Sequence, residues 1–116
     1  MSRNDLPEIL PTGEAAEKKI YSLLGLCKKA GFIQGGEFLT EKAIKSFKSC
    51  LVIVAEDASD NTKKKFSDSC AFYEVPYYTF GDKDSLGHSI GVEFRASVTV
   101  NNAGMAKKLI ALLDNR

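Results

Sequence analysis

A chain of 116 residues, 44% hydrophobic and with a net charge of +1, is long enough to bury one core without disulfide or metal staples. Its cysteines, Cys27, Cys50 and Cys70, are odd in number and lack Cys-x-x-Cys spacing, so they read as small buried hydrophobes of a reducing compartment rather than as a zinc or redox site. No stretch approaches the roughly 20 apolar residues of a membrane span, and the N-terminus has no basic-then-apolar signal; a cytoplasmic protein with no membrane partner is expected.

Residues 1–16 hold Pro7 and Pro11 with little periodicity and read as a flexible leader, leaving a single domain over residues 17–116. From Glu17, the apolar Ile20, Leu23, Leu24 and Cys27 recur at i, i+3, i+4 and i+7, the mark of a helix with one buried face, and Gly31 closes it. A short strand is predicted over residues 32–34. Gly35-Gly36 then turns the chain into a helix running to about Ser46, with Ala43, Ile44 and Phe47 inward. Residues 50–55 form a continuous apolar run, as in a strand covered on both faces, ending at Glu56-Asp57. Ser59, Asp60 or Asn61 caps a third helix through Tyr73, with Phe66, Cys70 and Tyr73 inward, and Val75-Pro76 stops it. A strand over residues 77–80, a helical turn over 85–90 between Gly81 and Gly91, and a strand over 96–100 follow. The last helix spans residues 104–113, with Met105, Leu109, Ile110 and Leu113 inward. This alternation predicts an α/β fold, a three-layer α/β/α sandwich around a central mixed four-stranded sheet.

Catalytic readings find little support in the sequence. His88 is the only histidine, so a histidine-based metal site, a Cys-His dyad or a Ser-His-Asp triad would each have to pass through it. It lies in the turn Leu86-Gly87-His88-Ser89-Ile90-Gly91, where a structural or exposed role is expected. There is no Gly-x-Ser-x-Gly elbow and no Gly-x-x-x-x-Gly-Lys-Ser/Thr loop. Glu56-Asp57, at the end of a buried strand, is the best acid pair. Adjacent carboxylates on an extended segment point to opposite sides, however, and Asp57 suits bonding to backbone N–H groups of the turn that follows. The protein is therefore expected not to be an enzyme and to need no cofactor or metal.

The glycine-led helix start carries more. Gly35 and Gly36 leave backbone N–H groups uncovered at the positive end of a helix, a ready place for phosphate, although a Gly-Gly pair is more often only a tight turn. At about 100° per residue, Phe38 falls nearly opposite the inward face and alongside Lys42 and Lys45, with Leu39 at the edge. An exposed aromatic beside lysines fits base stacking plus phosphate attraction; packing of Phe38 on a neighbouring loop or on a partner protein is the plainer alternative. The charge distribution leans the same way. Residues 1–17 hold one arginine against four acids, residues 18–65 ten lysines against five acids, and residues 66–116 five cations against six acids. The middle of the chain thus suits a polyanion, or is a solvated lysine-rich surface. A second patch is Val92-Glu93-Phe94-Arg95, after Gly91; if it lies beside the helix start, the two make one groove.

Several ordered blocks add a resemblance. They are Leu23-Leu24-Gly25-Leu26 with Lys28 and Ala30; Gly35-Gly36-Glu37 with Lys42; Val54-Ala55-Glu56-Asp57-Ala58-Ser59 followed by Asn61-Thr62 and Lys64-Lys65; Val75-Pro76-Tyr77; and Leu86-Gly87 with Ser89-Ile90-Gly91. In this order and spacing the chain resembles the kink-turn RNA-binding ribosomal-protein family over about residues 18–113, most closely its bacterial YlxQ-type branch. The resemblance implies a three-layer fold whose RNA surface comes from the glycine-led helix start, the loop after the buried strand and the loop before the last strand. It implies a kink-turn ligand, in which a bulge exposes tandem sheared G·A pairs. By position, Gly36 matches the family glycine, with Glu37 beside it, and Lys42 matches the phosphate-facing lysine. Asp57 matches the acid after the buried strand, Lys83 the lysine of a Ser-Lys turn, and Val92, Glu93, Phe94 and Arg95 the hydrophobic loop over flipped bases.

The sequence departs from the family at the base readers. An Asn-Glu or Lys-Gln pair is usual where this chain has Phe38 and Leu39, and neither can hydrogen-bond a base. Each good bidentate pair lost removes roughly 1 to 3 kcal/mol of discrimination, while stacking and salt-dependent phosphate contacts remain. The resemblance thus implies a non-catalytic RNA-binding protein of the translation apparatus, with structured RNA such as rRNA as partner and altered base readout; nothing in the patterning argues against a monomer. Ribosomal or RNA-processing proteins are further candidate partners. The alternative is a protein-docking adaptor that uses Phe38, Leu39 and Phe94 as an apolar patch.

Overall fold

The computed structural model describes residues 10–116. Most of the leader expected over residues 1–16 lies outside that range, and its described end is already helical. Helix α1 (Gly13–Ala30) begins four residues before Glu17, because Ala16 continues the buried stripe of Ile20, Leu23, Leu24 and Cys27 one turn toward the N-terminus. Gly31 ends it in the left-handed region at φ 76°, its N–H reaching the carbonyls of Cys27 and Lys28, the geometry that favours glycine just past a helix. Strand β1 (Ile33–Gly35), helix α2 (Glu37–Lys45), strand β2 (Leu51–Val54), helix α3 (Asp60–Tyr73), strand β3 (Tyr77–Thr79), helix α4 (Lys83–Ser89), strand β4 (Ser97–Val100) and helix α5 (Ala103–Leu113) follow. Ser59, Asp82 and Asn102 cap α3, α4 and α5 by accepting the N–H of Thr62, Ser85 and Met105.

The strands form one sheet in the order β1-β4-β2-β3. β4 runs antiparallel to both β1 and β2, and β2 runs parallel to β3, so the sheet is mixed. All residues of β2 and β4 are buried, as central strands covered on both faces must be. Helix α1 packs with α4 and α5, and α2 packs with α3, which gives the three-layer α/β/α sandwich.

Two helix faces differ from the sequence reading. Phe47 was expected inward but is 81% exposed. α2 stops at Lys45, and Phe47 turns to φ 61° beyond the cap, so the helical register no longer places its side chain. Its ring meets the half-buried Tyr73 edge-on, 5.6 Å between centroids. In α5 the fully buried stripe is Ala106, Leu109, Leu112 and Leu113, while Met105 and Ile110 are only partly covered.

Sheet register places the site. Gly35 at the end of β1 pairs with Val98, and Val54 at the end of β2 pairs with Ser97. The end of β1, the end of β2 and the start of β4 therefore meet at one end of the sheet. From that end leave the turn into α2, the loop after β2 and the loop before β4.

Candidate nucleic-acid interface

Gly36 is the hinge of the site. Its φ of 109° and ψ of 156° lie in a region essentially closed to side-chain-bearing residues. This conformation aims its N–H at the Ser97 carbonyl, 2.9 Å away, and ties the start of α2 to the start of β4. The fully buried Thr40, one turn on, reinforces the tie with its hydroxyl 3.1 Å from that of Ser97. Among the described residues no side chain caps α2, which leaves its first N–H groups at the positive end of the helix, where an anion is favoured.

The loop before β4 lies against this turn. A Cβ built on Gly35 would come 3.2 Å from Cγ of Arg95, and one on Gly36 would come 3.9 Å from its Cδ and Nε. The helix start and the Val92-Glu93-Phe94-Arg95 segment are thus one surface, which meets the condition set by the sequence. A ladder of bonds fixes the segment. The Asp57 carboxylate accepts the Lys83 N–H at 2.9 Å, and the Lys83 carbonyl accepts the Arg95 N–H at 2.9 Å. The Ala55 N–H reaches the Ala96 carbonyl, and the Glu56 N–H that of Gly81, both at 2.8 Å. Asp57 therefore serves α4 and not the turn that immediately follows it in sequence, because β3 runs parallel to β2 and so delivers the start of α4 to the end of β2.

Exposure separates the outward side chains from those that hold the surface in place. Phe38 is 76% exposed and Phe94 59%, with Leu39 at the margin of exposure, so the outward register predicted for α2 holds over its first turns. The Lys83 ammonium stands 6.0 Å from the Phe94 ring centroid, within cation–π range. Val92 is partly buried against the core, and its N–H bonds the Gly87 carbonyl at 3.0 Å; it anchors the loop that displays Phe94. Glu93 lines a cleft with Tyr21, Asp84, His88 and Phe94.

The charges of α2 divide between two faces. Lys65 of α3 bonds Glu37 at 2.8 Å and Glu41 at 2.7 Å, and Lys45 bonds Glu41 at 2.7 Å. Hydrogen bonds from Lys45 and then Lys65 hold the Glu41 carboxyl down at about 2. Glu37 and Lys45 are thus engaged in joining α2 to α3 and to itself. Lys42 makes no ion pair among the described residues, and it borders a small recess with Gln34, Leu39, Ser46 and Lys48.

Sequence reasoning missed three contributors. Lys48 lies past the end of α2, where no periodicity reports on it. The Thr40–Ser97 pair joins residues 57 apart. Gly87 sits so close to the Glu93 carbonyl that any Cβ would collide with it; the sequence marks it only as part of the Leu86-Gly87 block and as a glycine inside a predicted helical turn, neither of which shows this contact.

No enzymatic constellation appears among the described residues. His88 is exposed, Cys27 and Cys70 are buried, and burial pushes the Cys70 thiol up to about 11, which suppresses the nucleophilic thiolate. Glu56 lies 3.8 Å from Arg116, and no cluster of described residues could hold a metal ion.

The profile of the ribosomal protein L7Ae/L30e/S12e/Gadd45 family matches residues 18–110. The chain belongs to that family. It is 46% identical over 94 residues to the RNA-binding protein YlxQ of Bacillus subtilis, covering 81% of this chain and 94% of that one. It is 30% identical over 94 residues to the large ribosomal subunit protein eL8 of Picrophilus torridus, covering 80% of this chain and 74% of that one. A solved structure of a protein of unknown function from Bacillus halodurans matches with a TM-score of 0.80 at 40% identity, over 83% of this chain and 97% of that one. The two named relatives are an RNA-binding protein and a ribosomal protein, and the chain is a non-catalytic member of the family. No described helix is long and apolar enough to cross a membrane.

Proposed function

We propose that the protein binds structured RNA of the kink-turn kind. The uncapped start of α2 takes a phosphate or ribose edge, Lys42 a phosphate, and Phe38 and Phe94 stack on unpaired bases. The single observation that carries this reading is the joining of Gly35, Gly36 and Arg95 into one surface, with Phe38 and Phe94 left exposed on it. The name of the Bacillus subtilis relative supports RNA as the ligand, and the eL8 relative supports a place in the translation apparatus of the cytoplasm. Phe38 and Leu39 have no group that can pair with a guanine edge, so recognition rests on bent-RNA shape, stacking and phosphate contacts.

The test is equilibrium binding of a kink-turn RNA and a straight duplex of equal length at two salt concentrations. Tighter binding to the kink-turn supports the reading, as does a Lys42→Ala variant with its salt slope reduced by about 1. Equal binding to both RNAs, or none at low salt, overturns it. The exposed Phe38, Leu39 and Phe94 also favour a protein-docking reading; retention of a protein partner after nuclease treatment, with no RNA binding, would decide for it.

A further inference from the structure

A second groove, of about 570 Å³, runs between α1 and α4 and ends at Gly91, the residue before the segment that carries Phe94; its walls include Leu26, Lys28, Lys29, His88 and Ile90. The groove exists because α1 and α4 approach closely at Gly25, where a Cβ would stand 3.3 Å from the Ser89 carbonyl, and because Gly91 turns away at φ 75°. Leu26 is left 55% exposed at its edge. Lys28 and Lys29 are exposed in the last turn of α1, and neither makes an ion pair among the described residues.

Charge decides what the groove suits. Among the described residues no carboxylate lines it, whereas the cleft that shares His88 with it presents both Asp84 and Glu93. A polyanion on this side of the molecule is therefore attracted by Lys28 and Lys29 and repelled by Asp84 and Glu93. Favourable interaction with the α1 dipole accounts for two lysines at a helix end. It does not account for an exposed leucine beside them or for the absence of any acid from the groove.

Resting on the RNA-binding reading above, we propose that this groove is a second RNA contact. Lys28 and Lys29 hold backbone phosphates of the strand that continues from the Phe94 loop, and Leu26 lies under a ribose or base of that strand.

The test uses the full chain and two RNAs, a kink-turn with short stems and the same kink-turn with both stems lengthened. For Lys28→Gln/Lys29→Gln, binding to the long RNA should weaken about tenfold, with its salt slope reduced by about 1.5, as two phosphates at about 0.7 to 0.9 each require. Binding to the short RNA should stay unchanged. Lys28→Arg/Lys29→Arg should keep wild-type binding to both, which separates charge from any effect on folding. A loss equal on the two RNAs, or no loss on either, overturns the groove as a contact while the function stands. Failure of the wild type to bind either RNA overturns both readings.

Discussion

Gly36 and Phe38 show how much of the site rests on single residues. At φ 109° and ψ 156° a side chain at position 36 is strained, so Gly36→Ala should cost about 1 to 3 kcal/mol of stability. A drop in the urea midpoint checks this, and an unchanged midpoint would mean that the turn can rearrange. Phe38 has a different part, because its ring is exposed and its loss opens no cavity. Phe38→Ala should leave the midpoint unchanged yet weaken RNA binding by about 1 to 3 kcal/mol, the worth of one stacked base. Restoring the polar pair usual in the family, with Phe38→Asn and Leu39→Glu, should instead raise the preference for tandem G·A pairs over their substituted forms, by about 1 to 3 kcal/mol for a good bidentate contact. Competition between the two RNAs measures it.

At the level of elements, the site depends on α2 and α4 being held at fixed angles to β4. Gly87 permits contact between α4 and the Glu93 carbonyl. Gly87→Ala must therefore push the Phe94 loop outward, and its RNA affinity should fall more than its stability does. The hold of α2 on α3 runs through Glu41, whose carboxyl is kept near 2 by Lys45 and Lys65. A depressed carboxyl stabilises the fold fully above its ordinary value of 4.5 and loses that contribution as pH falls through about 2. Glu41→Gln should thus flatten the acid side of the stability profile between these values. The effect should be modest, because the partners are solvent-accessible; urea midpoints measured across that pH range test it. The same elements show what the sequence reveals and what it hides. The buried stripe of α1, the apolar run of β2 and the outward register of Phe38 are periodic, and periodicity is local. Phe47 fails because α2 ends two residues earlier, and a helix end is set by the turn beyond it. The Asp57–Lys83–Arg95 ladder joins two loops and the start of α4, all distant in sequence, and only the fold brings them together.

For the whole molecule, two features far apart in sequence, the glycine-led helix start and the hydrophobic loop before β4, form one surface because Gly35, Ser97 and Val54 share one end of the sheet. Because net charge is only +1, the proposed affinity for RNA rests on locally placed cations, Lys42, Lys83 and Arg95 on this surface and Lys28 and Lys29 in the groove, rather than on overall attraction, and it should fall with salt according to the few phosphates contacted. The most direct measurement is a titration of ¹⁵N-labelled protein with a kink-turn RNA, followed by amide NMR. The predicted result is that the amides of Glu37, Phe38 and Leu39 shift together with those of Phe94 and Arg95, at one saturating stoichiometry. Shifts confined to either feature alone, or centred on the Phe47–Tyr73 contact beyond the end of α2, would contradict it.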